Sequence, residues 1–469
     1  MTDTTKDQAD QIVEASRQAF LRWSTAPADQ RATCIEAIAD ALDANAPALA
    51  ELANTETHLG VPRLVGEVAR TTFQLRSFAA EVRHPTLTQA VHNDAVDGAP
   101  PAGRPALHKV FVPLGPVVVF GAGNFPFAFA DLGGDTASAL GAGCTVVIKQ
   151  HPGYPATSTE VLRLARAALE AQGMTPDVLT TVVGVGAGRA LVAHPDIHAV
   201  GFTGSLAAGR SLWDIAVSRP RPIPFYGELG SANPVFITQA ALDARRGTIA
   251  EEAAASIALG RGQFCTKPSL LIVPDDEEFI DLLASHLADT GDGPLLSDRS
   301  ADRFADTVSV VKNARGVSEV LGSRIDSVTG AVSAGLLRVS AEDFLADHEA
   351  IATECFGPLA VVITYSTADQ LEQIAQVLEG GLVLTVHAEH PADIDTVSAL
   401  YQLGKRLFGR VVTNAWPTGV AVAPAQHHGG PYPASTLSGF TSVGLQAVMR
   451  FVRPVTFQGI TGSSWEKLV

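Results

Sequence analysis

The stretch VVVFGAGNFPFAFADLGGDTASALGAGCTVVIK, residues 117–149, decides the fold of this chain. It opens and closes on apolar runs rich in β-branched residues, which predict buried strands. The segment 131–140 between them is rich in alanine and glycine and predicts a closely packed helix. Strands are predicted at 117–120, 145–149, 179–183 and 198–202. Because helical patterns separate these strands, the sequence indicates an α/β fold with a parallel sheet covered by helices.

Outward from this region the pattern changes twice. The first 95 residues show apolar positions at helical spacing, and Pro47 marks a break between two of the predicted helices. A helix capped by Ser158 is expected in the alternating region. After Glu228 a second alternating region runs to about residue 444. Further strands are predicted at 107–112, 269–273, 359–363 and 451–457.

Composition narrows the possible functions. The chain has 469 residues, of which 46% are hydrophobic and 17% charged, so it can bury the cores of two or three domains. A net charge of −16 argues against nucleic acid or an anionic membrane as a partner. Segment 110–130 is uncharged but contains three prolines, so a buried strand and a turn are expected there rather than a membrane helix.

The four cysteines show neither a disulfide framework nor the spacing of metal ligands. We therefore expect no metal, and a reducing cytoplasm that keeps a catalytic thiol free. The polar N-terminus lacks the basic start and apolar core of a signal peptide, which fits the same compartment.

Cys265 is the most informative candidate for chemistry, because it lies in the segment LGRGQFCT, residues 259–266. A thiolate attacks carbonyl carbons, and positive charge nearby lowers the pKa of a thiol. Arg261 and Lys267 are close enough in sequence to supply that charge. The sequence therefore predicts a cysteine nucleophile at position 265.

Two further residues carry groups that such a nucleophile needs. Glu228 lies in FYGELG, residues 225–230, where apolar neighbours are expected to raise its pKa and suit it to general-base catalysis. Asn124 follows the strand predicted at 117–120, where its amide N–H can donate to a developing oxyanion.

The glycine-rich segment GVGAG, residues 184–188, follows another predicted strand. It is not the Gly-x-Gly-x-x-Gly fingerprint of dinucleotide-binding folds, because position 189 is arginine. By itself it indicates either a turn that lets a helix approach a strand or a cofactor contact, and the sequence leaves both open.

Together these motifs resemble the aldehyde dehydrogenase family over nearly the whole chain. They occur in the family's order as Asn124-Phe125-Pro126, Val147-Ile148-Lys149, Phe202-Thr203-Gly204-Ser205, Glu228-Leu229-Gly230, Gly262-Gln263-Phe264-Cys265 and Glu354-Cys355-Phe356-Gly357-Pro358. The resemblance implies an aldehyde dehydrogenase-like α/β fold that forms a homodimer or homotetramer. Its implied parts are a Rossmann-like cofactor-binding domain (1–95 and 114–228), an α/β catalytic domain (229–444) and a small β oligomerisation element (96–113 and 445–469).

The resemblance also implies a mechanism. Cys265 attacks an aldehyde, Asn124 and the backbone N–H of Cys265 hold the oxyanion, and a hydride passes to a nicotinamide. Glu228 then activates the water that hydrolyses the thioester. The residues expected to contact the cofactor are Lys149, His151, Gly188, Gly204, Ser205, Glu354 and Phe356.

The cofactor preference follows from a departure from the family pattern. Many NAD-preferring relatives carry a glutamate three residues after the motif lysine, where it binds the ribose 2′-hydroxyl. Here that position is Pro152, which neither binds a hydroxyl nor repels a 2′-phosphate. With Lys149 and His151 nearby, NADP is the preferred expectation and NAD the alternative.

Two other departures bear on the substrate. Gly123, before Asn124, and the segment HHGGPYPA, residues 427–434, resemble a branch that includes 2,5-dioxovalerate (α-ketoglutarate semialdehyde) dehydrogenases and an NADP-dependent fatty aldehyde dehydrogenase. In that branch the histidine before Gly-Gly-Pro lies near the active site, which points to His428. Arg261 and Phe264 are expected in the substrate pocket, with Arg261 binding the carboxylate of an anionic semialdehyde.

Other interpretations remain at this point. Oxidation of 2,5-dioxopentanoate to 2-oxoglutarate is the leading prediction, and a medium- or long-chain fatty aldehyde is the alternative substrate. CoA-acylating or reductive chemistry is disfavoured because Glu228 would hydrolyse the thioester. A thiol hydrolase built on Cys265 and His428, and a catalytically silent structural or binding protein, are the remaining hypotheses.

Overall fold

The structure of the chain is a computed structural model that describes residues 2–326 and 328–460. The helices of the first 95 residues confirm the sequence prediction, with a new helix beginning just before Pro47. The α-helices are α1 (Lys6–Trp23), α2 (Ala28–Ala44), α3 (Ala46–Thr57), α4 (Val61–Arg83), α5 (Gly134–Ala142), α6 (Pro155–Ala171), α7 (Val185–Ala193), α8 (Leu206–Ser218), α9 (Gln239–Ala258), α10 (Glu277–Ala288), α11 (Asp298–Lys312), α12 (Ala341–Ala346), α13 (His348–Ile351), α14 (Ala368–Val377) and α15 (Ile394–Leu407).

The strands fall into separate sheets, and 3-10 turns lie at Pro176–Val178, Leu259–Gly262 and Leu445–Arg450. The strands are β1 (Val91–Asn93), β2 (Leu107–Pro113), β3 (Val117–Phe120), β4 (Val146–Lys149), β5 (Leu179–Val182), β6 (Val200–Thr203), β7 (Phe225–Glu228), β8 (Asn233–Ile237), β9 (Pro268–Pro274), β10 (Gly293–Pro294), β11 (Ser318–Leu321), β12 (Ala331–Val332), β13 (Gly335–Ser340), β14 (Leu359–Tyr365), β15 (Gly381–His387), β16 (Phe408–Thr413) and β17 (Val452–Gln458).

The first large sheet is fully parallel, with strand order β5-β4-β3-β6-β7. Strand β3 is central, β4 and β5 follow on one side of it, and β6 and β7 lie on the other side. The strand order therefore reverses between β3 and β6, where the carboxyl ends of an open sheet leave a crevice for ligands. Asn124 follows β3 and Ser205 follows β6, so both lie at this crevice.

Alternation along the strands explains how this sheet is buried on both faces. Val117 and Val119 pack into one core with helices α2 to α6, whereas Val118 and Phe120 pack into a second core with α7 and α8. Successive side chains of a strand point to opposite faces, so an uninterrupted apolar run requires cover on both sides. The parallel α/β prediction is confirmed.

The second large sheet has the order β11-β13-β14-β9-β8-β15-β16, and only its edge strand β11 is antiparallel. Its central strand β9 alternates in the same way, with Leu270 and Ile272 in one core and Leu271 and Val273 in the other. Strand β8 begins soon after Glu228, so this residue lies at the junction of the two sheets.

A third sheet joins sequence-distant segments, since β2 pairs antiparallel with both β1 and β17. This confirms the strands predicted at 107–112 and 451–457. The domain limits and the oligomerisation role of this sheet remain predictions, and residues 461–469 of the last segment lie outside the described residues. Within the described ranges, we find no helix with the length and apolarity needed to cross a membrane.

Two local predictions were wrong. Helix α5 begins at Gly134 rather than at 131, because residues before it form a turn in which Gly133 packs against the carbonyl of Ala128, where a Cβ atom would come within 2.4 Å. Ser158 does not cap α6. The helix begins at Pro155, a residue favoured at the first helical position, and Ser158 is buried one turn further on.

Candidate active site

The loop that carries Cys265 is held by backbone contact between two of the sequence motifs. Gly262 has a φ of 65°, and a Cβ atom at this position would lie 2.2 Å from the carbonyl oxygen of Gly357. A residue with a side chain fits neither the left-handed backbone nor the space. The Gly-Gln-x-Cys and Glu-Cys-Phe-Gly-Pro segments therefore meet directly, which brings Glu354 and Phe356 to the cleft beside Cys265.

Asn233 fixes the backbone of the same loop from the other side. Its buried side-chain amide donates to the carbonyl of Cys265 at 2.8 Å and to that of Lys267 at 2.9 Å. The Ser231 hydroxyl donates to the Asn233 side-chain oxygen at 2.8 Å. Asn233 was missed at the sequence level. The available signal was its place five residues after Glu228, in a polar segment that opens a strand.

Three side chains from distant parts of the chain converge at Cys265. Glu228 ends β7, and its Oε2 accepts a hydrogen bond of 2.9 Å from the Ser442 hydroxyl. The Nε2 atom of His428 lies 2.9 Å from Glu228 Oε1 and 3.6 Å from the sulfur of Cys265. The Oε1 contact is electrostatic rather than an aligned hydrogen bond, since this oxygen has no partner of good geometry among the described residues. His428 thus lies between the thiol and the carboxylate.

The electrostatics of this cluster differ from what the sequence predicted for the pKa of the Cys265 thiol and for that of the Glu228 carboxyl group. Burial raises the pKa of the Cys265 thiol well above its ordinary value, and the nearby Glu228 carboxylate raises it further. Lys267 does not offset this effect, because its ammonium group is buried and donates to the carbonyl of Leu359 at 2.6 Å. The thiol therefore needs a base to become a thiolate.

The pKa of Glu228 was predicted to be raised, and this was wrong. Burial does favour its neutral form, but His428 and the hydroxyl of Ser442 outweigh burial, so its pKa lies below the ordinary value. Apolar neighbours in the sequence do not reveal an imidazole that comes from 200 residues further along the chain. Glu228 is an ionised base at neutral pH.

Asn124 follows β3 in the crevice and is 9% exposed. Its side-chain amide donates one hydrogen bond of 2.9 Å to the carbonyl of Gln263, two residues before Cys265. An amide NH₂ group has two donors, so this bond orients the amide and leaves a second N–H for a ligand.

A cleft of about 380 Å³ leads along the carboxyl ends of the first sheet to Cys265. Most of the residues expected to contact a cofactor line it, namely His151, Gly204, Ser205, Glu354 and Phe356. Ser205 lines the cleft and opens helix α8, and its side chain does not cap the helix, so the first N–H groups of α8 are left available to an anion. The residues present therefore fit a dinucleotide, which Ser205, Glu354 and Phe356 would hold.

The other two residues expected to contact a cofactor, Lys149 and Gly188, do not line the cleft. Lys149 ends β4, and burial lowers its pKa while Asp3 acts in the opposite direction. Gly188 is buried inside α7, where a Cβ atom would lie 2.9 Å from the Phe120 ring and 3.2 Å from the Lys149 side chain. This contact indicates close helix packing beside Lys149 and does not place Gly188 on the cleft.

His151 and Glu354 have shifted acidities that bear on ligand binding. Burial lowers the pKa of His151 to about 4, and Lys149 adds to this effect, so the imidazole is neutral at pH 7. Burial raises the pKa of Glu354 to about 7, although the backbone N–H of Ser231 donates to its carboxylate at 3.3 Å. His151 therefore brings no positive charge to a bound phosphate.

Arg261, which was predicted in the substrate pocket, does not line the cleft that leads to Cys265. Its guanidinium donates to the carbonyls of Gly291 at 2.8 Å and Asp292 at 2.9 Å, on the loop before β10. A left-handed backbone, with a φ of 58°, turns Arg261 out of the line of the preceding helix. Phe264 contacts Phe125, one of the residues lining the cleft, edge to face at a centroid distance of 5.2 Å.

Sequence reasoning missed two arginines on α4. The guanidinium of Arg63 stacks 4.9 Å from the centroid of the Phe125 ring, and that of Arg70 lies 5.8 Å from the centroid of Phe129. Both phenylalanines line the cleft. The available signal was the spacing of polar residues 63, 67, 70 and 74 along one helix face, beside the recognised apolar face.

Comparison with known proteins agrees with this geometry. The model of the aldehyde dehydrogenase family matches residues 1–452, and the chain belongs to that family. It is 41% identical over 450 residues to alpha-ketoglutaric semialdehyde dehydrogenase 2 of Azospirillum brasilense, covering 95% of this chain and 85% of that protein. It is 36% identical over 460 residues to alpha-ketoglutaric semialdehyde dehydrogenase of Acinetobacter baylyi, covering 97% and 87%. This chain is an NAD(P)-dependent aldehyde dehydrogenase.

Solved structures support the same fold. Glyceraldehyde-3-phosphate dehydrogenase GapN of Methanocaldococcus jannaschii, complexed with NADP, superposes with a TM-score of 0.81 at 18% identity, covering 97% of this chain and 95% of that chain. A mutant of proline utilization A of Bradyrhizobium japonicum superposes with a TM-score of 0.82 at 24% identity. That match covers 97% of this chain but only 45% of the length of the proline utilization protein. At these identities the likeness concerns the fold alone.

Proposed function

We propose that this enzyme oxidises 2,5-dioxopentanoate to 2-oxoglutarate, with Cys265 as nucleophile and Glu228 as the hydrolytic base. The observation that carries the proposal is the convergence of Cys265, His428 and Glu228 at a cleft of about 380 Å³. The substrate follows from the two relatives that are 41% and 36% identical to the chain, both of which are named for this semialdehyde.

The first step needs a thiolate. His428 accepts the proton of Cys265, since its Nε2 atom lies 3.6 Å from the sulfur. The sulfur then bonds to the aldehyde carbon, and the carbonyl π electrons move to oxygen. The second amide N–H of Asn124 and the backbone N–H of Cys265 donate to this oxyanion.

The second step converts the tetrahedral adduct to a thioester. A nicotinamide dinucleotide held by Ser205, Glu354 and Phe356 would supply the acceptor for the hydride, the two electrons and one hydrogen that leave the substrate carbon. The oxyanion lone pair re-forms the carbonyl, and the acyl group stays on Cys265. Asn124 and the backbone N–H of Cys265 release the oxygen as its negative charge is lost.

The third step hydrolyses the thioester. Glu228 removes a proton from water, and the hydroxyl oxygen bonds to the acyl carbon as the carbon–sulfur bond breaks. The leaving sulfur regains the proton that His428 took from it in the first step, and the product acid ionises to a carboxylate. A lowered pKa keeps Glu228 ionised at neutral pH, which this step requires.

NADP is the proposed preferred cofactor, with NAD as the alternative. Pro152 lacks a carboxylate that would repel a 2′-phosphate, and Lys149 ends the neighbouring strand. His151 does not contribute positive charge at pH 7. The ratio of kcat/KM for NADP to that for NAD tests this proposal, and a strong preference for NAD would overturn it.

An aldehyde panel tests the substrate. We expect the highest kcat/KM for 2,5-dioxopentanoate and glutarate semialdehyde, and lower values for hexanal and decanal at equal concentration. The apolar cluster of Phe125, Phe129 and Phe264 is the observation that favours a fatty aldehyde. A preference for decanal over both carboxylated aldehydes would therefore replace the semialdehyde with a fatty aldehyde.

Assembly and location complete the proposal. We propose a homodimer or homotetramer whose subunits meet through the sheet of β1, β2 and β17, in which β17 is an edge strand. We also propose that the enzyme works in the cytoplasm, where a reduced Cys265 is maintained. Size-exclusion chromatography coupled to light scattering measures the oligomeric state, and the mass of a single subunit would contradict the proposed assembly.

A further inference from the structure

Arg63 and Arg70 lie seven residues apart on α4, on the helix face that meets the loop after β3. The guanidinium of Arg63 stacks on Phe125 at 4.9 Å and on Phe264 at 5.1 Å, measured to the ring centroids. Arg70 lies over Phe129, whose ring in turn contacts the ring of His428 at 6.2 Å. The two cations therefore border the same aromatic cluster, beside the reacting groups.

Both guanidinium groups have donors to spare. Arg63 donates from Nη2 to the carbonyl of Asn124 at 2.6 Å, and Arg70 donates from Nη1 to the carbonyl of Val420. Nη1 of Arg63 and both Nε and Nη2 of Arg70 are buried and have no hydrogen-bond partner among the described residues. Stacking on a ring uses the face of a guanidinium and leaves the N–H groups in its plane free to donate hydrogen bonds. An anion in this plane would satisfy three unpaired donors.

The protein does not neutralise this pair fully. Glu67 lies between the two arginines on the same helix face, but its Oε1 accepts hydrogen bonds from the backbone N–H groups of Phe127 and Ala128 at 2.8 and 3.0 Å. Burial raises the pKa of Glu67 to about 7, so it carries at most one negative charge against two positive charges. Desolvated cations without a full complement of partners favour an incoming carboxylate.

A five-carbon dioxoacid is short, so a group that binds its carboxylate must lie close to Cys265. Its aldehyde carbon and its carboxylate carbon are four bonds apart, roughly 5 Å in an extended chain. Arg70 is close enough to Cys265 that the sulfur acts electrostatically on its guanidinium. The Cys265 sulfur also acts electrostatically on Arg410. Arg410 donates to the carbonyls of Gly419 and Pro417, so it has fewer free donors than Arg70.

We propose that Arg70, with Arg63 beside it, binds the carboxylate of the semialdehyde while its aldehyde carbon meets Cys265. This inference rests on the proposed function, because it supplies the recognition of the substrate's acid group. It assigns to α4 the specificity that the sequence had placed on Arg261. The aromatic cluster holds the two guanidinium planes, and the substrate carboxylate accepts from their free N–H groups.

The test compares kcat/KM for glutarate semialdehyde with that for pentanal, which has the same carbon count and no carboxylate. We expect Arg70→Met to lower the value for glutarate semialdehyde by about 10- to 150-fold, the range for hydrogen bonds to charged groups. The value for pentanal should change by less than about 3-fold. Arg63→Met should show the same pattern with a smaller loss. Arg76→Met is the matched control, since it removes a cation from the same helix that pairs with Asp40 and Asp43 on the surface.

The outcomes separate this inference from the proposed function. A wild-type enzyme with no preference for glutarate semialdehyde over pentanal contradicts the proposed substrate. A wild-type enzyme that has the preference, and keeps it in both Arg70→Met and Arg63→Met, contradicts the arginine subsite alone. Should Arg70→Met fail to fold, Arg70→Lys and Arg63→Met decide the matter, because unchanged ratios in both would overturn the subsite.

Discussion

His428 lies with its Nε2 atom 2.9 Å from Oε1 of Glu228, and both side chains are buried. The same nitrogen lies 3.6 Å from the sulfur of Cys265. One imidazole therefore lies between the proposed nucleophile and the proposed hydrolytic base. In the proposed mechanism it activates a thiol with a raised pKa, and it lowers the pKa of the carboxyl group.

The first prediction concerns the ionisation of Cys265. The Glu228 carboxylate disfavours a second negative charge beside it and so raises the thiol pKa. Glu228→Gln removes that charge, which lowers the thiol pKa and increases the thiolate fraction at pH 7.5. We expect faster alkylation by iodoacetamide in the variant, with its pH profile displaced to lower pH. Cys265→Ala supplies the background rate, and a profile displaced to higher pH would contradict the coupling.

The second prediction concerns His428. His428→Ala removes the proton acceptor of the thiol, and we expect kcat to fall by about 10²- to 10⁴-fold, the usual contribution of general acid–base catalysis. Loss of the imidazole also raises the pKa of Glu228, because His428 is the main group that lowers it. The acid limb of the kcat profile should therefore move to higher pH. An unmoved limb would show that His428 does not set the acidity of Glu228.

The third prediction concerns Asn233, which positions the loop of Cys265. Asn233→Ala leaves the buried carbonyls of Cys265 and Lys267 without this donor, at a cost of about 1–3 kcal/mol in the free energy of unfolding. We expect kcat to fall while KM for the cofactor changes little, since the nucleophile loosens and the cleft stays intact. Asn313→Ala, at the exposed end of α11, serves as the control. Denaturant unfolding and steady-state kinetics check both effects.

The fourth prediction uses the proximity of three metal-binding atoms. The ligand atoms of Glu228, Cys265 and His428 lie within 4.8 Å of one another, and thiolate, imidazole and carboxylate are the ligands that Zn²⁺ prefers. We expect micromolar Zn²⁺ to inhibit the enzyme and a chelator to restore activity. His428→Asn should weaken the inhibition of residual activity. Equal inhibition of this variant would place the effect of zinc elsewhere.

The strands and the first helices were predictable because local pattern decides them. Val117–Phe120 is an uninterrupted apolar run, and Val146–Lys149 is apolar up to its last residue. Both require cover on both faces, and they form adjacent strands of one parallel sheet. The start of α5 was missed because it depends on the packing of Gly133 against Ala128. Helix propensities of single residues do not include such contacts. Family motifs likewise marked Cys265, Glu228 and Asn124, whose placement in one site depends on the tertiary fold.

The electrostatics of the site were not predictable in the same way. His428 and Glu228 meet because an antiparallel bridge joins Glu228 to Ser435, a contact across 207 positions. Arg261 was assigned to the pocket on sequence proximity to Cys265, but a left-handed turn directs it to another loop. Arg70 was overlooked because α4 buries a polar face as well as an apolar one, and a single apolar stripe is what the sequence pattern reveals.

The most direct test of the whole account is a single turnover of Glu228→Gln with the carboxylated aldehyde and oxidised cofactor. We expect a burst of about one reduced nicotinamide per active site, followed by slow turnover, because acylation needs Cys265 and deacylation needs Glu228. Mass spectrometry should find the acyl group as a thioester on the peptide that contains Cys265. Sustained turnover at the wild-type rate, or a burst with no acyl group on that peptide, would contradict it.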